Sequence, residues 1–210
     1  MRTKATFVWL GAAALALGVF LRITRELIEG ELGRGDSSIL REVAKARNPW
    51  LTIAAVDITS LGSVTIVTLL TVLALAILIR MGDRIGALQL LASSAGAGML
   101  TLGTKLLVER VRPAVAQQLV TATGFSYPSG HSASSTALYL TLAILAARHL
   151  RRSADRSAVF AGAAAVILAV AASRVYLGVH YLTDVASGVA LGAAWVFLLT
   201  GLFGRRITAP

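Results

Sequence analysis

Six long apolar runs limit what this chain can fold into more than any other feature. A helix needs about 20 mostly apolar residues to cross the hydrocarbon layer of a membrane, and the runs approach that length. Their bounds are 5–21, 51–79, 85–108, 129–150, 158–175 and 181–203. A soluble core of 210 residues, 56% of them hydrophobic, could not bury so much apolar surface. The sequence therefore predicts an all-α membrane protein, one domain over residues 1–210 folded as a six-transmembrane-helix bundle.

The first run, residues 5–21, can be interpreted in two ways. Arg2 and Lys4 precede it and an Ala14-x-Ala16 pattern lies inside it, as in a cleaved signal peptide. That pattern lies in the middle of the run, however, and apolar residues continue to Leu21. We therefore expect this run to be retained as the first helix.

The segment between the first two runs, residues 22–50, contains eleven of the thirty charged residues in the chain. Ile39, Leu40, Val43 and Ala44 recur in it at helical spacing, as in a short amphipathic helix at the membrane surface. An ordinary solvated loop explains the same composition equally well. The sequence leaves both interpretations open.

Charge and cysteine content narrow the classes of partner. The chain has 20 Lys and Arg against 10 Asp and Glu, a net charge of +10, and no cysteine. Without cysteine it can form neither a disulfide framework nor a thiolate metal site. The cations are scattered between the apolar runs and form no stripe, so we expect contact with anionic membrane lipids and no nucleic acid partner.

Clusters of cations indicate how the helices are oriented in the membrane. They lie in two short loops and near the two ends of the chain: 80–84, 148–156, Arg2, Lys4, Arg205 and Arg206. An even number of spans places all of them on one side, which the positive-inside rule makes cytoplasmic. Residues 22–50 carry six cations on the other side, which weakens the contrast.

Small residues at four-residue spacing predict close packing between helices. Ser94 and Gly98 in the third run, and Gly188 and Gly192 in the sixth, follow the small-xxx-small pattern of membrane helix interfaces. We assign these four residues to packing rather than to catalysis.

Ionisable residues near the membrane are costly and are therefore the candidates for function. They form three clusters, each predicted at the non-cytoplasmic end of a run. In the first, Lys105 and Arg112 are seven residues apart and Pro113 follows. If the helix continues to Arg112, both cations share one face and Pro113 marks its end. Two cations that reach for the membrane interface would give the same pattern.

The second cluster, Pro128-Ser129-Gly130-His131, opens the fourth run. Proline is tolerated in a first helical turn, and the free N–H groups of that turn can bind an anion. Gly130 would let the backbone approach a ligand, and Ser129 would add a hydroxyl donor. On its own, however, the cluster is equally an N-cap serine followed by an interfacial histidine.

The third cluster links the last two runs and contains Arg174, His180 and Asp184. If one helix runs through His180 and Asp184, the carboxylate can hold an imidazole nitrogen and fix its tautomer. The opposite nitrogen then keeps an exposed lone pair, as a nucleophile requires. A buried pair that only stabilises packing would look the same.

The three clusters together resemble a known family. The pattern of the type 2 phosphatidic acid phosphatase superfamily is K-x6-R-P, then P-S-G-H, then S-R-x5-H-x3-D, and every position is filled between Lys105 and Asp184. This superfamily includes bacterial lipid phosphatases, undecaprenyl diphosphate phosphatases, glucose-6-phosphatase and vanadium haloperoxidases. The six runs resemble its membrane branch along most of the chain.

The resemblance implies that a phosphate group is bound by cations and backbone donors. Lys105, Arg112 and Arg174 would clamp the phosphate oxygens, and Ser129 with the Gly130 N–H would complete the cradle. Three cations can neutralise a phosphate with up to two negative charges, so we expect neither a metal nor another cofactor.

The resemblance also implies a role for three further residues. His180 would attack phosphorus to form a phosphohistidine, and Asp184 would stabilise the imidazolium that results. His131 would protonate the leaving oxygen and later activate water. Because His180 must start neutral and His131 charged, a bell-shaped pH profile is expected.

These expectations describe a metal-independent membrane lipid phosphatase. A site at the membrane surface suits undecaprenyl diphosphate, phosphatidic acid or phosphatidylglycerol phosphate. With cytoplasmic termini, the site would face the outside of a bacterial inner membrane, where the first of these lipids is presented, and we favour it slightly. A non-enzymatic lipid-phosphate binding or transport protein would not need His180 and Asp184. A haloperoxidase that holds vanadate is disfavoured by six membrane spans.

Overall fold

The fold was obtained as a computed structural model that describes the backbone of residues 2–203 and the side chains of residues 5–203. Every regular element in this range is helical. The helices are α1 (Arg2–Ile28), α2 (Gly33–Lys45), α3 (Pro49–Ser60), α4 (Val64–Arg80), α5 (Arg84–Val108), α6 (Gly130–Ser135), α7 (Thr141–Ala147), α8 (Ser153–Tyr176) and α9 (Leu182–Phe203). A π-helical turn, Thr136–Leu140, joins α6 to α7. The predicted orientation also used four cations near the ends of the chain whose side chains lie outside the described residues: Arg2, Lys4, Arg205 and Arg206.

Four helices are long and apolar enough to cross a membrane: α1 from Ala5, α5, α8 and α9. The predicted second run contains α3 and α4, which pass the same test together but are bent by 45° at the break between them. The predicted fourth run contains α6, the π-helical turn and α7, which follow one another directly but are only 6, 5 and 7 residues long. Length and composition therefore support four or five spans of an integral membrane protein, and the count of six stays a prediction.

The break in the second run follows from its sequence. Ser63 leaves the helical conformation and its hydroxyl accepts a hydrogen bond from the Ile66 N–H, so α4 begins with its own N-cap. Gly62 beside it lies where a side chain has no room: a Cβ would come 2.6 Å from Val170 and 3.1 Å from the carbonyl oxygen of His131. The bend thus brings the backbone of the α3–α4 turn against the start of α6.

The charged segment between the first two runs forms helix α2. Leu40 is fully buried and packs against Ala171, Val175 and Val185 of α8 and α9. The opposite face bears an exposed ion pair between Glu42 and Lys45. The segment therefore forms an amphipathic helix and not a solvated loop, and its apolar face packs against the bundle.

Helix α9 lies at the centre of the packing. Cβ atoms placed at Gly188 and Gly192 would come 2.5 Å from the Ser129 carbonyl oxygen and 2.8 Å from the Ala133 carbonyl oxygen, so both glycines allow the predicted close approach to α6. The prediction for Gly98 is wrong, because nothing lies within 4 Å of a Cβ there. Gly96 makes the close contact of α5 instead, against the indole of Trp195.

Helix α1, the first predicted run, packs along α9. The rings of Trp9 and Phe197 are 5.6 Å apart between centroids. Phe20 stacks at 6.3 Å on Tyr127, whose hydroxyl lies 2.7 Å from that of Thr24. The first run therefore forms a helix of the bundle and reaches the loop that precedes α6.

Candidate active site

All the residues singled out in the three sequence clusters lie at one end of the bundle. They are Lys105 in the last turn of α5, Arg112 in the following loop, Ser129, Gly130 and His131 at the start of α6, Arg174 in the last turn of α8, His180 before α9 and Asp184 in its first turn. The arginine-rich turns after α4 and α7 lie at the other end. The exposed His149 also lies there, away from the clusters.

The loop after α5 decides between the two interpretations of the first cluster. The helix ends at Val108, as the run 85–108 predicts, because Glu109 takes a left-handed conformation with φ 50° and its N–H bonds the carbonyl of Lys105. The condition that the helix continues to Arg112 is therefore not met. Lys105 and Arg112 do not share a helix face, and it is the folding of the loop that brings them together.

Carbonyl oxygens of the returning loop hold both cations. The ammonium of Lys105 donates to the carbonyls of Phe125 and Ser126, the second at 3.3 Å. The guanidinium of Arg112 donates to the carbonyls of Thr123 at 2.9 Å and Gly124 at 3.0 Å. Burial lowers the pKa of Arg112 from its ordinary value, against the opposing effect of the Asp184 charge.

The third cation, Arg174, is 5% exposed and lies between α8 and α3. Its Nη1 donates to the hydroxyl of Thr59 at 2.9 Å, while its buried Nε has no hydrogen-bond acceptor among the described residues. A buried donor of this kind is normally paired. Arg174 Nε is therefore a donor that an anion oxygen would satisfy.

The three cations share one electrostatic property. None of them forms an ion pair with a carboxylate in the part of the chain whose side chains are described. Neutral oxygens hold all three, and these oxygens leave the positive charge uncompensated. Such a group binds a multiply charged anion more strongly than a neutral ligand.

His180 lies against these cations but outside any helix. Helix α9 begins at Leu182, so no single helix runs through both His180 and Asp184, and the condition under which they would share a helix face is not met. Asp184 instead accepts from the Tyr181 N–H at 2.9 Å, as a carboxylate in the first helical turn does. This cap places its Oδ2 3.5 Å from His180 Nδ1. The pair therefore forms by a different local geometry from the predicted one.

The two imidazole nitrogens of His180 face different surroundings. Nδ1 faces Asp184 and lies 3.4 Å from the hydroxyl of Ser126, whereas Nε2 lies 3.3 Å from Nη1 of Arg112. Burial lowers the pKa of His180 to about 4, although Asp184 acts in the opposite direction. The ring is therefore neutral at pH 7, and a proton on Nδ1 leaves the lone pair of Nε2 facing Arg112.

The second cluster is the start of α6. Ser129 is the N-cap, its hydroxyl accepts from the Ser132 hydroxyl at 3.1 Å, and its N–H donates to the Asp184 carbonyl at 2.9 Å. The N–H groups of Gly130 and His131 lie in the first turn, where a helix offers no acceptor. His131 is partly exposed, and its charged neighbours are Arg174, His180 and Arg112.

Sequence reasoning missed four residues around this site: Asp36, Thr59, Arg110 and Ser126. Arg110 donates to Asp184 at 2.6 Å and to Asp36 at 2.7 Å, and Ser126 donates to Asp184 Oδ2. Arg110 stood inside the K-x6-R-P interval, and Asp36 stood in a stretch of mixed charge. No local signal in the sequence distinguishes Arg110 and Asp36, because Asp36 and Asp184 each lie 74 residues from Arg110 along the chain.

Within residues 2–203, no group of three or more His, Cys, Asp or Glu side chains lies close enough together to hold a metal ion.

Comparison with known proteins agrees with this geometry. The sequence profile of the PAP2 superfamily matches residues 86–208. Phosphatidylglycerophosphatase B of Bacillus subtilis is 32% identical over 190 residues, which are 90% of this chain and 92% of that protein. Decaprenylphosphoryl-5-phosphoribose phosphatase of Mycobacterium tuberculosis is 34% identical over 120 residues, 53% of this chain and 61% of that protein.

Solved structures are similar as well. The crystal structure of a transmembrane PAP2-type phosphatidylglycerolphosphate phosphatase from Bacillus subtilis superimposes with a TM-score of 0.87 at 31% identity, over 94% of this chain and 98% of that one. That of Aquifex aeolicus LpxE, at 20% identity and a TM-score of 0.59 over 80% of this chain and 93% of that one, shares the fold. The predicted resemblance is confirmed, and the chain belongs to the PAP2 superfamily.

Proposed function

We propose that this integral membrane protein hydrolyses a lipid phosphate without a metal, through a phosphohistidine at His180. Membership of the PAP2 superfamily and relatives named as phosphatases make the chain a phosphoric ester hydrolase. The lipid nature of the substrate is supported by the membrane-spanning helices around the site. The metal-free mechanism and the identity of the lipid are the parts that experiment must decide.

The single observation that carries the mechanism is the environment of His180 Nε2. This nitrogen is the free end of a neutral imidazole whose other nitrogen faces Asp184. It lies 3.3 Å from Arg112, one of three cations that form no ion pair with a carboxylate among the side chains of residues 5–203. A phosphate held by those cations would present its phosphorus to this nitrogen, which is the geometry that nucleophilic catalysis needs.

The first chemical step is transfer of the phosphoryl group to His180. Nε2 forms a bond to phosphorus while the bond to the lipid oxygen breaks, and His131 gives a proton to that oxygen. The negative charge of the bound phosphate stabilises protonated His131, whose other charged neighbours are cations. Asp184 stabilises the imidazolium of phosphorylated His180 through Nδ1.

The second step releases phosphate. His131, now neutral, takes a proton from a water molecule that attacks phosphorus, and the N–P bond breaks. Neutral His180 and protonated His131 are thereby restored. Lys105, Arg112 and Arg174 spread their charge over the phosphate oxygens in both steps, and the free N–H groups of Gly130 and His131 add two donors, with Ser129 as a further one.

Among lipids, we propose phosphatidylglycerol phosphate as the first substrate to test. The similarity of nine-tenths of the chain to a phosphatidylglycerophosphatase favours it over undecaprenyl diphosphate and phosphatidic acid. We further propose that the site faces the periplasmic or extracellular side of the bacterial plasma membrane and that the termini are cytoplasmic. This orientation is supported by the arginine-rich turns at the opposite end of the bundle.

The experiment is phosphate release by the purified full-length chain in detergent with excess chelator. Phosphatidylglycerol phosphate, phosphatidic acid and undecaprenyl diphosphate are assayed side by side, with the unmodified chain, His180→Ala and, as a matched control, His149→Ala. We expect release by the unmodified and His149→Ala chains, and a loss of about 10⁴-fold or more in His180→Ala. Release by His180→Ala at the unmodified rate, or none from any lipid, contradicts the proposal.

The phosphohistidine is tested with His131→Asn. A substrate with a good leaving group needs no acid in the first step, whereas breakdown of the phosphoenzyme still needs the base. Radioactive phosphate is therefore expected to accumulate on His180 in this variant, as located by peptide mapping. Label on a serine, with His180 unmodified, would overturn the assignment of the nucleophile.

A further inference from the structure

We infer that Arg110 and Asp36 are positioning residues for the Asp184–His180 pair, and that through them the surface helix α2 holds the nucleophile in place. This inference rests on the proposed function, since it concerns how His180 is prepared for attack. Neither residue touches the region between the three unpaired cations. Both act through Asp184.

The carboxylate of Asp184 is held from two directions. Its Oδ1 accepts from Nη1 of Arg110 at 2.6 Å. Its Oδ2 accepts from the Tyr181 N–H and the Ser126 hydroxyl and faces His180 Nδ1. Loss of the Arg110 bond would free the carboxylate to rotate about its last bond, and His180 would lose the acceptor that orients it.

Arg110 is itself held rigidly. Its Nη1 also donates to the Thr183 hydroxyl at 2.8 Å, and the guanidinium lies 4.1 Å above the ring of Tyr181. Its backbone carbonyl accepts from the Ser126 N–H at 2.7 Å. Arg110 therefore positions both the carboxylate of Asp184 and the serine that donates to it.

Asp36 joins this arrangement to α2. Its side chain is 1% exposed and accepts from Nη2 of Arg110 at 2.7 Å. It also accepts from the N–H of Thr183 at 3.2 Å and from the Thr183 hydroxyl, so it lies at the start of α9 as an N-terminal carboxylate should. Burial of a carboxylate on a helix that otherwise presents charges to solvent is explained by these three bonds.

The charges of this cluster also suit the proposed chemistry. Two carboxylates, Asp36 and Asp184, share one guanidinium, which leaves one net negative charge beside a neutral His180. When His180 is phosphorylated, its ring becomes a positively charged imidazolium, while the negative charge of the phosphoryl group is directed toward Lys105, Arg112 and Arg174. The net negative charge of the cluster then faces the positive ring, which favours formation of the intermediate.

The test compares Arg110→Gln, Arg110→Lys and Asp36→Asn with the unmodified chain. Glu42→Gln is the matched control, because Glu42 forms an exposed ion pair on the same helix and touches none of these residues. Each chain is assayed with phosphatidylglycerol phosphate and with a soluble aryl phosphate, and its unfolding temperature is measured. The aryl phosphate has no lipid tail, so it reports on His180 without any contribution from membrane docking of α2.

For groups that orient a reactive residue without touching substrate, a loss of about 10- to 100-fold is usual. We expect Arg110→Gln to lower kcat by about 100-fold and Asp36→Asn by about 10-fold, with KM changed less than about threefold, on both substrates. Arg110→Lys should have a kcat about 10-fold higher than that of Arg110→Gln, because the ammonium restores the positive charge but not the second hydrogen bond of the guanidinium. Glu42→Gln should keep the unmodified kcat.

The outcomes are separable. If the unmodified chain hydrolyses neither substrate, the proposed function fails and this inference fails with it. If the unmodified chain is active and Asp36→Asn and Arg110→Lys retain its kcat, the inference alone is overturned. A loss confined to the lipid substrate, or to KM, also overturns it, because that would assign α2 to lipid binding. If Arg110→Gln does not fold, Asp36→Asn and Arg110→Lys decide.

Discussion

The two sides of the site differ in how their charges are satisfied. On the side of α2 and α9, Arg110 bridges Asp36 and Asp184, and all three side chains are paired within the protein. On the side of α5 and α8, the cations Lys105, Arg112 and Arg174 are held by carbonyl and hydroxyl oxygens and, among the side chains of residues 5–203, by no carboxylate. The paired side is complete in the folded chain, whereas we propose that an anion completes the unpaired side. His180 lies between them, with one nitrogen toward each.

This difference separates the residues that orient His180 from those proposed to bind the phosphate. A buried charge without a partner destabilises a fold, so Arg174, which is buried and forms no ion pair among the side chains of residues 5–203, is retained at a cost in stability. On the paired side, Arg110 bonds both carboxylates and provides a rigid frame for His180. We therefore expect changes on the paired side to affect the chemical step, and changes on the unpaired side to affect both binding and the chemical step.

The largest effect is expected from breaking the paired side at Asp184. Asp184→Asn removes the carboxylate that faces His180 Nδ1, and the amide can hold the ring in the wrong tautomer. In the catalytic triad of serine proteases the corresponding change lowers kcat by about 10⁴-fold. A loss of at least about 10³-fold in kcat, with KM nearly unchanged, is expected here. Retention of more than a tenth of the activity would show that His180 is oriented by other groups.

The next largest effect is expected from the unpaired side. Arg174→Ala removes a buried cation that holds phosphate oxygens, and one preorganised donor is commonly worth about 10²- to 10³-fold in kcat. We expect that loss together with a raised KM, measured by phosphate release. Arg148→Ala is the control, since Arg148 is a partly buried arginine at the opposite end of the bundle, where it donates to Gln89. An equal loss of activity in both folded variants would contradict the assignment.

The acid side of the pH profile sharpens the role of His180. Burial lowers the pKa of His180 to about 4, and only the neutral ring attacks phosphorus. After correction for ionisation of the substrate phosphate, the acid limb of kcat/KM should therefore lie near pH 4 and fall about tenfold per pH unit below it. The measurement uses a soluble aryl phosphate, with each sample returned to pH 7 to verify that activity recovers. A limb centred near pH 6.5 would mean that His180 is not desolvated.

The smallest effect is a change in stability on binding inorganic phosphate. An anion that completes the unpaired side stabilises the fold by about 2.7 kcal/mol at 100 times its dissociation constant. The unfolding temperature should rise by about 5–11 °C, at about 2–4 °C per kcal/mol for a chain of this size. Arg174→Ala should lose most of this rise, whereas His149→Ala should keep it. Equal shifts in both variants would place the anion elsewhere.

Local patterns in the sequence predicted much of this molecule. The apolar runs located α1, α5, α8 and α9, since membrane helices require long apolar stretches. The small residues Gly188 and Gly192 predicted close helix packing, and the structure identifies α6 as the partner. The order of the three clusters predicted the family, and their positions at the ends of the runs predicted that the candidate residues lie at one end of the bundle. Each of these conclusions depends on residue type and spacing alone.

Other features depended on backbone geometry that the spacing does not encode. The apolar run predicted the end of α5, but the return of the chain that brings Arg112 to Lys105 begins with the left-handed conformation of Glu109, a residue type that usually avoids it. The pairing of His180 with Asp184 follows from a helix cap and a turn rather than from a helix through both residues. In both cases the predicted residues come together, but by a different path of the backbone.

The sequence by itself determined that the chain enters the membrane, which family it belongs to and which residues form the candidate site. Only the tertiary structure decided how the charges are divided: within the described part of the chain, Arg110 pairs with two carboxylates and Lys105, Arg112 and Arg174 pair with none. The physical reason is that pairing depends on distances of a few ångströms between segments far apart in the chain. Residue spacing specifies the neighbours within a helix, whereas the packing of α2 and α9 around the loop after α5 specifies which cation meets which carboxylate.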